Sequence, residues 1–207
     1  TEVEQRDSSE SNIGCSADSV VVWTDGEKDA LVDYWDIDPA KVSVIPPGVD
    51  LSRFRPMSQS QSREFLGYGE EKNILFVGRL EPLKGLDVLF RAVAALEDLG
   101  NITLNVVGGD ENSQEKARLQ TLASRMKLTQ NVRFIGSVRH DELPLHYNAA
   151  DVCVLPSHYE SFGLAALEAA ACGRPVVASQ VGGLPAIVRN GSTGFLVEPK
   201  HSDTMAE

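Results

Sequence analysis

No stretch of the 207-residue chain approaches the ~18 consecutive apolar residues that a membrane-crossing helix needs. The most apolar stretch, Phe162–Cys172, still contains Glu168. Cations are scarce too: 19 Lys and Arg stand against 30 Asp and Glu, a formal net charge of −11. That balance opposes a nonspecific grip on nucleic acid or on anionic membrane. Cys15, Cys153 and Cys172 lie far apart, the last two in apolar runs. They read as small buried hydrophobes of a reducing compartment, not as a disulfide framework. The opening TEVEQRDSSESNIG has no basic start, apolar core or cleavage site. Neither a signal nor a transit peptide is expected, and the chain reads as cytoplasmic. G-x-x-x-x-G-K-[ST] and G-x-S-x-G are both missing, which removes the phosphate-binding P-loop and the serine-hydrolase elbow. Gly67-Tyr-Gly69 begins like a dinucleotide fingerprint but lacks the third glycine and precedes its strand. His140, His146, His158 and His201 have no metal-ligand spacing, so they read as satisfied or solvated histidines and no metal is expected. Asn101 and Asn190 head chance glycosylation sequons.

What is present is an alternation of strands and helices. The first eighteen residues read as an incomplete helix or a frayed end. Strands are expected at Asp18–Trp23 and Lys41–Ile45, joined by a helix capped by Asp25 with Ala30, Leu31, Tyr34 and Trp35 on one face. Residues 49–72, with the polar MSQSQSR, read as a linker. From 73 to 207 strands are expected at Asn73–Val77, Ile102–Val107, Val132–Ile135, Asp151–Leu155, Pro175–Ala178 and Gly194–Val197. Helical patterns fill 85–97, 114–127, 141–148, 163–172 and 184–189. Short β-branched runs separated by amphipathic helices predict an α/β fold, a Rossmann-like parallel sheet with helices on both faces.

In an open parallel sheet, ligands bind beyond the carboxyl ends of the strands. Three loops there stand out. Gly78-Arg79-Leu-Glu-Pro-Leu-Lys84-Gly85 places two cations after the strand at 73–77, which suits a diphosphate, although an ordinary surface Arg and Lys would look the same. Glu160-Ser-Phe-Gly-Leu-Ala-Ala-Leu-Glu168 runs from loop into helix, with Ser161 as a cap. The amides of Phe162, Gly163 and Leu164 would then lie free at a positive helix end. Glu168, flanked by Ala and Leu, is costly there unless it binds something, and two ribose hydroxyls are one possibility. Ser179-Gln-Val-Gly182-Gly183-Leu-Pro185 is a turn whose role is either ligand contact or turn chemistry.

Together ESFGLAALEAAACGRPVVAS, VGRLEPLKG, VIPPGVD and AADVCVLPS resemble the donor-binding, C-terminal half of a GT-B retaining glycosyltransferase of family 4. That group includes sucrose-phosphate synthases and glycosyltransferases acting on inositol phosphate, and the resemblance runs from about Ala17 to Pro199. It implies that Arg79 and Lys84 hold the diphosphate of a nucleotide sugar, with a UDP-sugar expected. It places Glu160 on the donor sugar, Glu168 on the ribose, and the amides of Phe162, Gly163 and Leu164 on sugar and phosphate. The base would lie against Ser137-Val138-Arg139. Ala186 departs from the Glu of many relatives. No cofactor or metal would be required, and the acceptor would be a hydroxyl of a sugar, sugar phosphate or polyol. Residues 1–48 would be the last strand–helix–strand of an N-terminal acceptor domain, and 73–207 a donor domain cut short at its C-terminus. Such a fragment is expected to be inactive alone. The alternatives are a stand-alone nucleotide-sugar-binding module and a GT-B sugar-nucleotide epimerase.

Overall fold

A computed structural model describes residues 10–96, 99–110 and 113–207. The chain divides into two compact units, Thr1–Gly48 and Val49–Glu207. In the first, a helix α1 covers residues 10–16, and strands β1 (Val20–Val22) and β2 (Val42–Val44) pair in parallel around helix α2 (Asp25–Trp35). The expected cap moves by one residue. Thr24, not Asp25, accepts from the Glu27 amide, while Glu27 reaches back to the Trp23 amide at 2.8 Å. Leu31 and Trp35, four residues apart, pack on the small core of Val22, Ile37 and Val42. Tyr34, expected on that face, points to solvent.

The second unit holds a six-stranded sheet, all parallel, in the order β5-β4-β3-β6-β7-β8. The strands are β3 (Lys72–Val77), β4 (Ile102–Val107), β5 (Val132–Gly136), β6 (Val152–Leu155), β7 (Val176–Ser179) and β8 (Gly194–Val197). Between and around them run α3 (Gln59–Leu66), α4 (Leu86–Ala94), α5 (Gln114–Arg125), α6 (Leu143–Ala149), α7 (Leu164–Ala171), α8 (Leu184–Ile187) and α9 (Ser202–Ala206). Glu97, the expected end of the helix over 85–97, lies outside the described residues; α4 itself stops at Ala94. No helix of the described residues is long and apolar enough to cross a membrane.

Successive residues of a strand point to opposite faces, and here both faces are covered. Leu75, Val107, Cys153 and Leu155 enter one core with Tyr147 of α6 and Ala166 and Ala169 of α7. Phe76, Val106 and Val154 enter the other with Leu89 and Phe90 of α4 and Leu119 of α5. Mostly apolar runs are therefore favoured in these strands, and the buried Asn105 of β4 is accommodated by donating to Asn73 of β3 at 2.8 Å.

Residues 49–72 are not a linker. Ser58 caps α3, and Gly67 ends it in the left-handed conformation. The helix has little apolar surface and is fastened by polar bonds. Arg63 pairs with Asp151 at 2.7 Å and donates to the Ala149 carbonyl at 2.9 Å, and Gln59 donates to the Ala150 carbonyl at 2.9 Å. Ahead of it Phe54 is buried in the core, and Asn148 of α6 accepts from the Met57 amide at 2.7 Å and donates to the Arg55 carbonyl at 3.0 Å.

Candidate functional site at the sheet switch point

From β3 the chain steps outward through β4 to β5, then returns to lay β6 against the opposite edge of β3. The loops that follow β3 and β6 thus leave the sheet in diverging directions, opening a crevice at the carboxyl ends of two adjacent strands. Arg79 and Lys84 lie on the first loop, and Glu160 and the start of α7 follow the second. Glycines let the two loops meet. Gly85 has φ +68°, and a Cβ on it would strike the Pro156 carbonyl. The His158 amide also donates to the Leu83 carbonyl at 2.8 Å.

This stitching brings Lys84 to Glu160. Lys84 Nζ donates to Glu160 Oε2 at 2.7 Å, with the two side chains only 19% and 15% exposed. Ser157 Oγ stands 3.4 Å from the same carboxylate oxygen. Together with Gly78, Arg79 and Leu164 they line a cavity of about 210 Å³. Arg79 is held differently: its guanidinium is 76% exposed and pairs with Glu81 at 2.7 Å. The cavity wall therefore offers one shielded ammonium, one exposed guanidinium and one shielded carboxylate.

The start of α7 lies two residues beyond the Ser161 cap that the sequence suggests. The cap position is Gly163, with φ +103° and no side-chain cap bond. A Cβ there would come within 2.6 Å of Leu184. Phe162 and Gly163 are buried, while Leu164 is half exposed at the cavity wall. In the first turn of α7 the Ala166 amide donates to the Gly163 carbonyl at 2.9 Å, and the amides of Leu164 and Ala165 lie ahead of the helix's own bonding pattern. Gly182 and Gly183 explain themselves by packing. A side chain on Gly182 would meet the Glu160 carbonyl, and one on Gly183 would lie 2.7 Å from Phe162 Cα. The Gly183 amide closes the contact by donating to the Ser161 carbonyl at 3.0 Å. The loop after β7 thus clasps the backbone that carries Glu160.

Glu168 lies away from this cavity and already has partners. The Tyr147 hydroxyl donates to its Oε2 at 2.7 Å, and His140 Nε2 lies 3.1 Å from its Oε1. Burial, followed by the Glu168 charge, pushes the Tyr147 hydroxyl well above its ordinary pKa, so it stays a donor. Beside them, Val138 packs on the core, Ser137 Oγ donates to the Gly109 carbonyl at 2.8 Å, and Arg139 pairs with Asp141 at 2.7 Å. The loop after β5 is thus held next to Glu168. From the sequence Tyr147 draws no attention, His140 reads only as a satisfied or solvated histidine, and Ser157 is one residue of the loop at a strand's carboxyl end. They lie 21, 28 and three residues from their carboxylates, and only the last spacing is local.

Known proteins resemble this chain in sequence and fold. The chain is 45% identical over 206 residues to a D-inositol 3-phosphate glycosyltransferase of Actinosynnema mirum, covering 96% of this chain and 49% of that protein. Sucrose-phosphate synthase from Thermosynechococcus elongatus superposes with a TM-score of 0.89 at 36% identity, over 98% of this chain and 51% of that one. The Anabaena protein HepE, solved with UDP and glucose, gives 0.85 at 28% identity over 94% and 53%. The chain spans about half the length of these relatives. Its α/β fold is the Rossmann-like fold of these GT-B neighbours. A family model described as Glycosyl transferases group 1 covers residues 58–207, from the cap of α3 through the β3–β6 crevice to the last residue, and the chain belongs to that family.

Proposed function

We propose that this chain is the donor-binding part of a retaining family-4 glycosyltransferase, which moves a hexosyl group from a UDP-sugar to a hydroxyl acceptor. The observation that carries this reading is the shielded Lys84–Glu160 pair at the switch point, with Arg79 on the same cavity wall. A diphosphate entering the crevice meets Lys84, Arg79 and the amides at the start of α7. Lys84 then exchanges one oxygen partner for another, and the released Glu160 carboxylate faces the sugar hydroxyls. As the anomeric C–O bond breaks, its electron pair goes to the β-phosphate oxygen, where these cations and amides stabilise it. The acceptor oxygen bonds to the anomeric carbon on the same face, and its proton passes to the departing phosphate. Glu168 and the Ser137–Arg139 loop hold ribose and base.

The half-length span supports placing residues 1–48 in an acceptor-side domain, with transfer requiring the rest of that domain. The name of the Actinosynnema mirum relative supports a polyol or sugar-phosphate acceptor, and the UDP in the HepE structure supports uridine. Calorimetric titration with UDP-, GDP- and ADP-glucose tests the donor. UDP-glucose is expected to bind ~10-fold or more tightly than the other two, in line with a few kcal/mol of base-specific contacts. Equal affinity for all three would remove the assignment of the base.

A further inference from the structure

The Glu168 carboxylate is only 13% exposed, yet it sits on a helix of Ala and Leu, and both its oxygens are already engaged. Tyr147 is the more rigid of its two partners. Its ring is buried in the core and edged against Phe54 at 6.1 Å between centroids, and its hydroxyl reaches Oε2. His140 approaches from the loop after β5 and is itself oriented. Its ring lies 5.1 Å from that of Phe54, and Arg53 Nη1 stands 3.3 Å from its Nδ1. A guanidinium has only donors, so Nδ1 is the acceptor. The ring proton of the neutral imidazole then sits on Nε2, the nitrogen that faces Glu168 Oε1. A donor therefore arrives at each carboxylate oxygen from a different element.

A carboxylate offers roughly four lone-pair sites, and two of these are taken. One acceptor site remains on each oxygen, the number that a pair of adjacent hydroxyls requires. We propose that Tyr147 and His140 are positioning residues, which fix the Glu168 carboxylate so that its two remaining lone pairs receive the vicinal hydroxyls of a ribose. This inference rests on the donor-site reading above and deepens it. Without Tyr147 the carboxylate can rotate about its last bond, and the two acceptor sites no longer present themselves together.

The test compares UDP with 2′-deoxy-UDP by calorimetry at fixed salt, on the unchanged chain and on Tyr147→Phe, His140→Ala and Glu168→Gln. The unchanged chain is expected to prefer UDP by ~10-fold or more, the worth of one hydrogen bond to a charged group. Tyr147→Phe should reduce that preference to ~3-fold or less, His140→Ala should reduce it by a smaller factor, and Glu168→Gln should abolish it. The preference is a ratio of two affinities of the same variant, so a merely structural loss, read as a lower melting temperature, leaves it unchanged. If Tyr147→Phe does not fold, His140→Ala at an exposed position decides. No UDP binding by the unchanged chain would overturn the donor-site reading itself. Binding without preference would overturn the ribose contact alone. A full preference retained in both Tyr147→Phe and His140→Ala would overturn the positioning role.

Discussion

Lys84→Ala in the proposed full-length transferase is expected to lower kcat by ~10²–10³-fold, the usual cost of removing one group aimed at developing negative charge. Two features make Lys84 the strongest candidate on the rim. Its ammonium is 19% exposed whereas the Arg79 guanidinium is 76% exposed, and an interaction shielded from water is worth several times one that is not. Each cation gives up a carboxylate at 2.7 Å, but Glu81 stands beside Arg79 on the same loop, whereas Glu160 comes from the loop after β6 and lines the cavity together with Lys84. The loss at Lys84 has a second part. Glu160, 15% exposed, would keep only the weak contact with Ser157 Oγ, and its unpaired carboxylate would repel the incoming diphosphate. Donor KM should therefore rise along with the fall in kcat. Arg79→Ala should show a smaller loss, carried mainly by KM. Steady-state kinetics of both variants check this, and wild-type turnover by Lys84→Ala would contradict it.

Gly182→Ala is expected to destabilise the fold by ~2–4 kcal/mol and to abolish measurable UDP binding. The residue has φ +52°, which by itself costs a non-glycine residue ~1–2 kcal/mol. The rest comes from the added methyl, which would meet the Glu160 carbonyl. Retreat is blocked on the next residue, since Gly183 already lies against Phe162. The strain can relax only by moving the backbone of Glu160–Phe162, and with it the carboxylate and amides of the rim. Gly191 is the control: its φ is +75°, but a Cβ there meets nothing within 4 Å. Gly191→Ala should cost only the backbone term, ~1–2 kcal/mol, and leave UDP affinity intact. Urea unfolding and titration of the two variants separate the cases. Equal effects of both on binding would show that the clasp of the Glu160 segment is not needed.

The strands of the sheet were legible because burial on both faces disfavours polar residues in them, leaving runs such as ILFV, ended by Gly78, and VCVL, ended by Pro156. The rim was legible for the same topological reason, since the residues after β3 and β6 must share the crevice. Three things were not legible. Helix α3 has no apolar stripe, and its hold comes from Arg63 and Gln59 reaching Asp151 and the end of α6, pairings about 90 residues apart. The start of α7 was read from Ser161, a good capping side chain, but packing of Leu184 against Gly163 and of Gly183 against Phe162 overrides that local preference. The isolated Glu168 suggested a ligand, yet it carries two protein partners as well. One is Tyr147, which lies in no motif of the sequence, and the other is His140, which reads there as a satisfied or solvated histidine.

The central claim is that the crevice between β3 and β6 holds a nucleoside diphosphate. Titration of the chain with UDP and with UMP, at the same pH and salt, tests it most directly. The second phosphate adds at least one charge-assisted contact to Lys84, worth ~1.5–3 kcal/mol, so UDP is expected to bind ~10–100-fold more tightly than UMP. Equal affinity for UDP and UMP would contradict the assignment of Lys84, Arg79 and the start of α7 to a diphosphate.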